Sequence, residues 1–144
     1  MPNRAVAKAQ VVSDMRTKDL VGDATVTDLF NLPLPQNTAI GGTIRYTAYS
    51  TDATDFQARS GIAMFAAVNK AGTVTTAIID TTSTTVAAST GTFTLAWTAV
   101  ENTTIADTLL VRVQPTSSLT ETVTNISFTV LVHRGVTGAL PSLL

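Results

Sequence analysis

The chain is 144 residues long, contains no cysteine, is charged at only 13% of its positions and carries a net charge of -1. That length fits one domain able to bury roughly 70% of its unfolded surface, and without cysteine there is neither a disulfide framework nor a thiolate metal site. Against roughly 25% charged residues in an ordinary soluble domain, such sparse charge argues against electrostatic capture of nucleic acid and for association, because weakly repelling surfaces tend to pair.

The opening stretch Met1-Pro-Asn-Arg-Ala-Val-Ala-Lys-Ala-Gln10 lacks the apolar run of a signal peptide, and no apolar stretch in the chain is long enough to span a bilayer. A polypeptide made in the cytoplasm, with no membrane partner, is the expectation. Residues 1–8 read as an arm bearing Arg4 and Lys8, and Arg16 and Lys18 add further positive charge before position 20. The first strand is expected over Ala9 to Ser13 and the second over Ala24 to Phe30. Pro33 and Pro35 then rule out a central strand, since proline cannot donate to a ladder.

Thr43 to Tyr49 reads as a third strand with Ile44, Tyr46 and Ala48 on one face, and Ser50 to Asp55 as a turn. A fourth strand, Gly61 to Val68, is assigned the inward set Ile62, Met64, Ala66 and Val68. Asn69-Lys-Ala-Gly72 has the composition of a hairpin, with glycine supplying a positive φ, and leads to a fifth strand over Thr73 to Asp80. In the sixth, Gly91 to Ala99, apolar Phe93, Leu95 and Trp97 alternate with Thr92, Thr94 and Thr98. Threonine suits this role because it is β-branched yet carries a hydroxyl, which keeps an outward face wettable without charge. Thr108 to Val113 presents Leu109, Val111 and Val113 inward, and Thr122 to His133 presents Ile126, Phe128, Val130 and Val132.

Eight strands without sustained helical periodicity predict an all-β chain: a single-domain antiparallel β-sandwich over 9–134, with a jelly roll as the first topology. An immunoglobulin-like sandwich comes second, since its Cys-Trp-Cys pattern is absent. Residues 135–144 form an uncharged apolar tail ending in Leu140, Leu143 and Leu144.

No catalytic constellation emerges, and no enzyme activity, metal or cofactor is expected. His133 is the sole histidine and sits at a strand end without a nucleophile motif, which fits a surface side chain better than a triad member. Asp52 and Asp55 in Thr51-Asp-Ala-Thr-Asp55 fit turn capping better than a calcium loop, which needs more oxygens at set positions. A glycosidase pair drawn from Asp52, Asp55, Asp80 and Glu101 is formally available but cannot be read from spacing. Asn102-Thr-Thr104 and Asn125-Ile-Ser127 match the glycosylation pattern, a short one that a threonine-rich chain produces by chance. Trp97 falls in phase with the core, whereas Tyr49, out of phase with Ile44 and Tyr46, is the surface aromatic.

The stretch from Gly42 to Gly72, Gly-Thr-Ile-Arg-Tyr-Thr-Ala-Tyr-Ser-Thr-Asp-Ala-Thr-Asp-Phe-Gln-Ala-Arg-Ser-Gly-Ile-Ala-Met-Phe-Ala-Ala-Val-Asn-Lys-Ala-Gly, resembles small virion proteins of tailed bacteriophages, capsid cement or decoration proteins among them. The resemblance extends loosely from Ile40 to His133 and implies a compact sandwich displayed in many copies on the capsid surface of a virion, after synthesis in the cytoplasm of the bacterial host. It implies a cement role, binding the outside of the head and bridging major capsid subunits, with the major capsid protein and the chain itself, as dimer or trimer, for partners, and neither nucleic acid nor membrane. Arg4, Lys8, Leu140, Leu143 and Leu144 are the expected partner contacts. The alternative is a receptor- or glycan-binding module of a tail fibre or head fibre, using Tyr49, Asp52 and Asp55.

Overall fold

In the computed structural model, residues 9–20, 24–87, 91–119 and 123–136 are described. Their eight strands are β1 Ala9–Leu20, β2 Thr27–Pro33, β3 Thr38–Thr51, β4 Phe56–Lys70, β5 Thr73–Ala87, β6 Phe93–Glu101, β7 Thr108–Ser117 and β8 Val123–Val136. Each expected strand is present, most of them longer than the alternation alone suggested. β8 continues through Gly135 and Val136, two residues beyond the expected domain end.

The strands form two antiparallel sheets, β1-β8-β3-β4-β5 and β2-β7-β6. Hairpins join β3 to β4, β4 to β5 and β6 to β7, while β1 lies beside β8 and β2 beside β7 through distant connections. This is a β-sandwich with crossing connections; a jelly roll is a finer statement than a division into five and three strands makes.

Local chemistry explains the turns. Lys70 pairs with Thr73, leaving Ala71 and Gly72 as a two-residue loop with φ of 51° and 93°. Positive φ at both positions is what a type I′ hairpin turn requires, and Asn69 Oδ1 steadies it by accepting from the Gly72 N–H at 2.9 Å. Pro33 ends β2, an edge strand, so its missing donor is not needed. β7, by contrast, runs past Pro115 to Ser117, because β2 has no residue paired beyond Val113 and only β6 accompanies it there.

The core fills the space between the sheets and is bridged by aromatic rings. Phe30 of the three-stranded sheet stacks on Phe128 at 5.7 Å and meets Phe65 edge-on at 6.4 Å, and Trp97 lies 5.1 Å from Tyr46. Ile44, Tyr46, Ala48, Leu109, Val111, Val113, Ile126, Phe128, Val130 and Val132 are all buried, as their alternation predicted.

β4 departs from the sequence reading. Its buried set is Gln57, Ala63, Phe65, Ala67 and Asn69, whereas Met64 is 50% and Val68 45% exposed; Ala66 is exposed as well and Ile62 half-buried. The assignment of Ile62, Met64, Ala66 and Val68 to the core is thus inverted by one residue, which moves a whole set to the other face. Packing explains the choice. Gly42 pairs with Phe65 and Gly61 with Tyr46, and a Cβ on Gly42 would meet the Phe65 ring at 2.9 Å while one on Gly61 would meet the Tyr46 hydroxyl at 2.8 Å. Each glycine opens the inner face for the aromatic opposite it.

Buried amides close both ends of that inner face. Gln57 Oε1 accepts from Ser117 Oγ at 2.9 Å, and Ser50 Oγ donates to Ser117 Oγ at 3.0 Å. At the far end Asn69 Nδ2 donates to Leu34 O at 2.8 Å and to Asp107 Oδ1 at 2.9 Å. β4 therefore carries one cross-sheet polar clamp near each end, with apolar packing between them.

Candidate interaction surface

Because β4 is apolar on both sides, the outer face of the five-stranded sheet is a surface of unusual composition. Cross-strand register arranges it in rows. Leu131, Thr43, Met64 and Ile79 form one; His133, Gly41, Ala66 and Ala77 form the next; Gly135, Ala39, Val68 and Thr75 a third. Ile79 is 63% exposed. Strands buried on both faces read as apolar on both sides, so this face has the makeup of an interior while lying open.

Beyond Ile62 the same face becomes polar. Arg45 is exposed there, and Thr47 and Ser60 share a hydrogen bond of 3.0 Å, as do Thr17 and Ser127 at 3.1 Å. A shallow groove of about 460 Å³ follows this band, lined by Arg45, Thr47, Ser60, Thr84, Ser127 and Met15 among others. Past it, Tyr49 stacks on Phe56 with ring centroids 5.3 Å apart and planes at 12°. Val86 and Val123 are exposed in the neighbouring register positions.

The Asp52–Asp55 turn borders this aromatic end. Asp52 Oδ1 accepts from the backbone N–H of Thr54 at 2.8 Å and of Asp55 at 2.7 Å, and Asp55 Oδ1 accepts from Phe56 N–H at 3.1 Å. Those backbone donors hold the Asp52 carboxyl below its usual range. Both carboxylates cap the turn. Of the three residues of the glycan reading, Tyr49 lies on the sheet face beside Phe56, an aromatic the sequence reading missed.

A second polar group sits at the inner edge of β4 and β5. Tyr46 donates its hydroxyl proton to Asp80 Oδ2 at 2.7 Å, and Arg59 Nη2 approaches the same oxygen at 3.0 Å. A bulge at Thr81, where Ile62 pairs with Thr82 but Ala63 with Asp80, turns Asp80 inward to receive them. Tyr46 is pushed up to about 12 by burial first and by its bond to Asp80 second, against the opposing pull of Arg59. Burial disfavours the Arg59 charge, but Asp80 and Tyr46 outweigh it and hold the guanidinium above its usual range. Arg59 Nε, Asp80 Oδ1 and Trp97 Nε1 are buried without a partner.

The remaining residues singled out by sequence fall apart in space. Asp80 lies on the inner side opposite Ala63, about 23 Å along β4 from the Asp52–Asp55 turn at about 3.3 Å per residue, and Glu101 is exposed at the end of β6. His133 is exposed opposite Gly41. Asn102 caps its turn by accepting from Thr104 and Ile105 N–H, each at 2.9 Å, and Asn125 is buried with its amide on Asp19 at 2.7 Å. Among the described residues no group of three or more His, Cys, Asp or Glu side chains could hold a metal. Arg4, Lys8, Leu140, Leu143 and Leu144 lie outside the described residues. The strands that adjoin them do have a clear placement: Ala9 pairs with His133, and β8 ends at Val136, so the first and last described residues lie at the same end of the same sheet.

Comparison with protein-family models, with curated proteins and with solved structures gives no match.

Proposed function

We propose that this chain is an assembly protein, a cement or decoration subunit that binds the outside of a phage head and bridges its major capsid subunits. The observation that carries the reading is the open apolar face of the five-stranded sheet, with Met64 and Ile79 more than half clear of the domain's own packing or close to it, at 50% and 63% exposed. A domain acting alone gains nothing from such a face and loses solubility by it. The Gly42 to Gly72 stretch that resembles virion proteins supplies much of it, from β3 and the whole of β4.

In this reading the two arms reach the shell. They start from one end of one sheet, so Arg4 and Lys8 on one side and Leu140, Leu143 and Leu144 on the other act on a single neighbouring surface. Low net charge keeps the cost of desolvating that contact small. Co-sedimentation of the full chain with purified heads of the phage that encodes it tests this. Saturable binding that weakens on deletion of residues 1–8 or 137–144, with cooperative unfolding retained, supports it; no binding to heads overturns it.

The stacked Tyr49 and Phe56 beside the Asp52–Asp55 turn favour a second reading, a glycan-binding module of a tail fibre or head fibre. A half-buried Tyr49 ring beside an exposed Phe56 ring at a sheet end suits the apolar face of a sugar. Binding on a glycan array that disappears in both Tyr49→Ala and Phe56→Ala would replace the cement reading.

A further inference from the structure

We propose that the outer face of the five-stranded sheet is closed by a second copy of this chain, sheet against sheet, about a two-fold axis. This deepens the assembly reading above and rests on the same face, although the contact it specifies is one between copies, separate from the contact with a shell.

Shape is the first reason for choosing a second copy. Across β3, β4 and β5 the row Thr43, Met64, Ile79 is a ridge of larger side chains, and the adjoining row Gly41, Ala66, Ala77 is a trough of small ones parallel to it, bounded on β8 by the exposed His133. A two-fold axis between the rows lays the ridge of each copy in the trough of the other, which makes the patch complementary to itself. Interdigitation of this kind is how stacked sheets reach a spacing of about 10 Å.

Area is the second. β8, β3, β4 and β5 at about 4.8 Å spacing give a width of about 19 Å, and an overlap of about 40 Å along the strands, which takes in the Thr47–Ser60 hydroxyl row and Lys70 as well as the apolar rows, gives a face on the order of 800 Å² per copy. A stable interface needs about 800 Å² from each partner. Charge is the third: from Arg45 to the hairpin, Arg45 and Lys70 are the fixed charges among the described outer side chains of β8, β3, β4 and β5, one at each border of the apolar rows. Copies with a net charge of -1 approach without appreciable repulsion.

Sedimentation velocity on the full chain, over a dilution series from high to low micromolar, reads the result. The wild type is expected as a dimer, Met64→Glu and Ile79→Lys as monomers with dissociation constants raised at least 100-fold, and Thr98→Lys on the opposite outer face as a dimer. Ala66→Cys, which adds little volume and gives the chain its sole thiol, is expected to cross-link to a second copy with a short bismaleimide, whereas Thr98→Cys is not. A wild-type monomer across the series, or a dimer indifferent to Met64→Glu and Ile79→Lys and without Ala66→Cys cross-linking, overturns the proposal. A monomer that still binds heads through this face would reject the second copy and leave the cement reading standing; a dimer that ignores heads would do the reverse.

Discussion

The two outer faces of this sandwich obey the same period of two with different residues. On the β2-β7-β6 face, Thr94, Ala96 and Thr98 are exposed along β6, Arg112 Nε pairs with Asp28 Oδ1 at 2.8 Å, and Gln114 Nε2 donates to Ala24 O at 2.8 Å. On the other, β4 sets out Met64, Ala66 and Val68 beside Ile79 of β5. Threonine gives the first face strand propensity and water contact together, so its exposure costs nothing. The second has hydroxyls in the band past Ile62, but along β4 from Ile62 to Val68 it sets out apolar side chains where the first sets threonines. One side is finished toward solvent and the other is left apolar along β4.

The strongest way to break that contrast uses neighbours on β4. Phe65→Ala removes a ring packed between the sheets and should cost about 3–5 kcal/mol of domain stability, while Met64→Ala, one residue away on the open face, should cost less than about 0.5 kcal/mol in dilute solution. Trp97, the chain's only tryptophan, is buried beside Tyr46 and reports unfolding by fluorescence. Equal losses for the two variants would mean that Met64 packs in the core after all.

Next in size is the clamp. Asn69→Leu strands Leu34 O, the Asp107 carboxylate and the Gly72 N–H together, so denaturant unfolding should show a loss of about 2–3 kcal/mol. A near-neutral result would show that the sheets are held by apolar packing alone. Tyr46→Phe is smaller, about 1 kcal/mol, but it changes the alkaline limb. With its folded value pushed up to about 12, Tyr46 keeps a proton that the unfolded chain releases near pH 10. Its contribution is complete below about pH 10 and disappears as pH rises toward about 12, so the variant should lose that part of the pH dependence. Smallest of all, Arg112→Ala on the finished face should shift stability by less than about 1 kcal/mol, as exposed ion pairs do.

Strand identity was legible in the sequence because alternation is a direct record of one wet and one dry side. It failed at β4 for the same reason: with Ile62, Met64, Ala66 and Val68 on one face and Ala63, Phe65 and Ala67 on the other, both phases satisfy it, and the bulkier set is the wrong one. Signals that decide the phase were present. Gln57 and Asn69 fall in register with Phe65, and Gly42 and Gly61 stand opposite aromatics, but recognising them requires knowing which residues pair. The Tyr46–Asp80–Arg59 group was hidden likewise, since it depends on the Thr81 bulge within a run of threonines whose alternation had already lapsed. Asp52 and Asp55 were read correctly as turn caps because their partners are local in sequence. Phe56 went unnoticed as the companion of Tyr49, being placed by the hairpin rather than by any pattern around it.

Hydroxyl-radical footprinting of the full chain at high and low concentration tests most directly whether the open face is covered. Modification of Met64, Val68 and Ile79 should fall several-fold on concentration, while Ile105, 51% exposed at the other side of the sandwich, should be modified equally in both samples. Met64, Val68 and Ile79 reacting at the same rate at every concentration would contradict a face closed by a second copy.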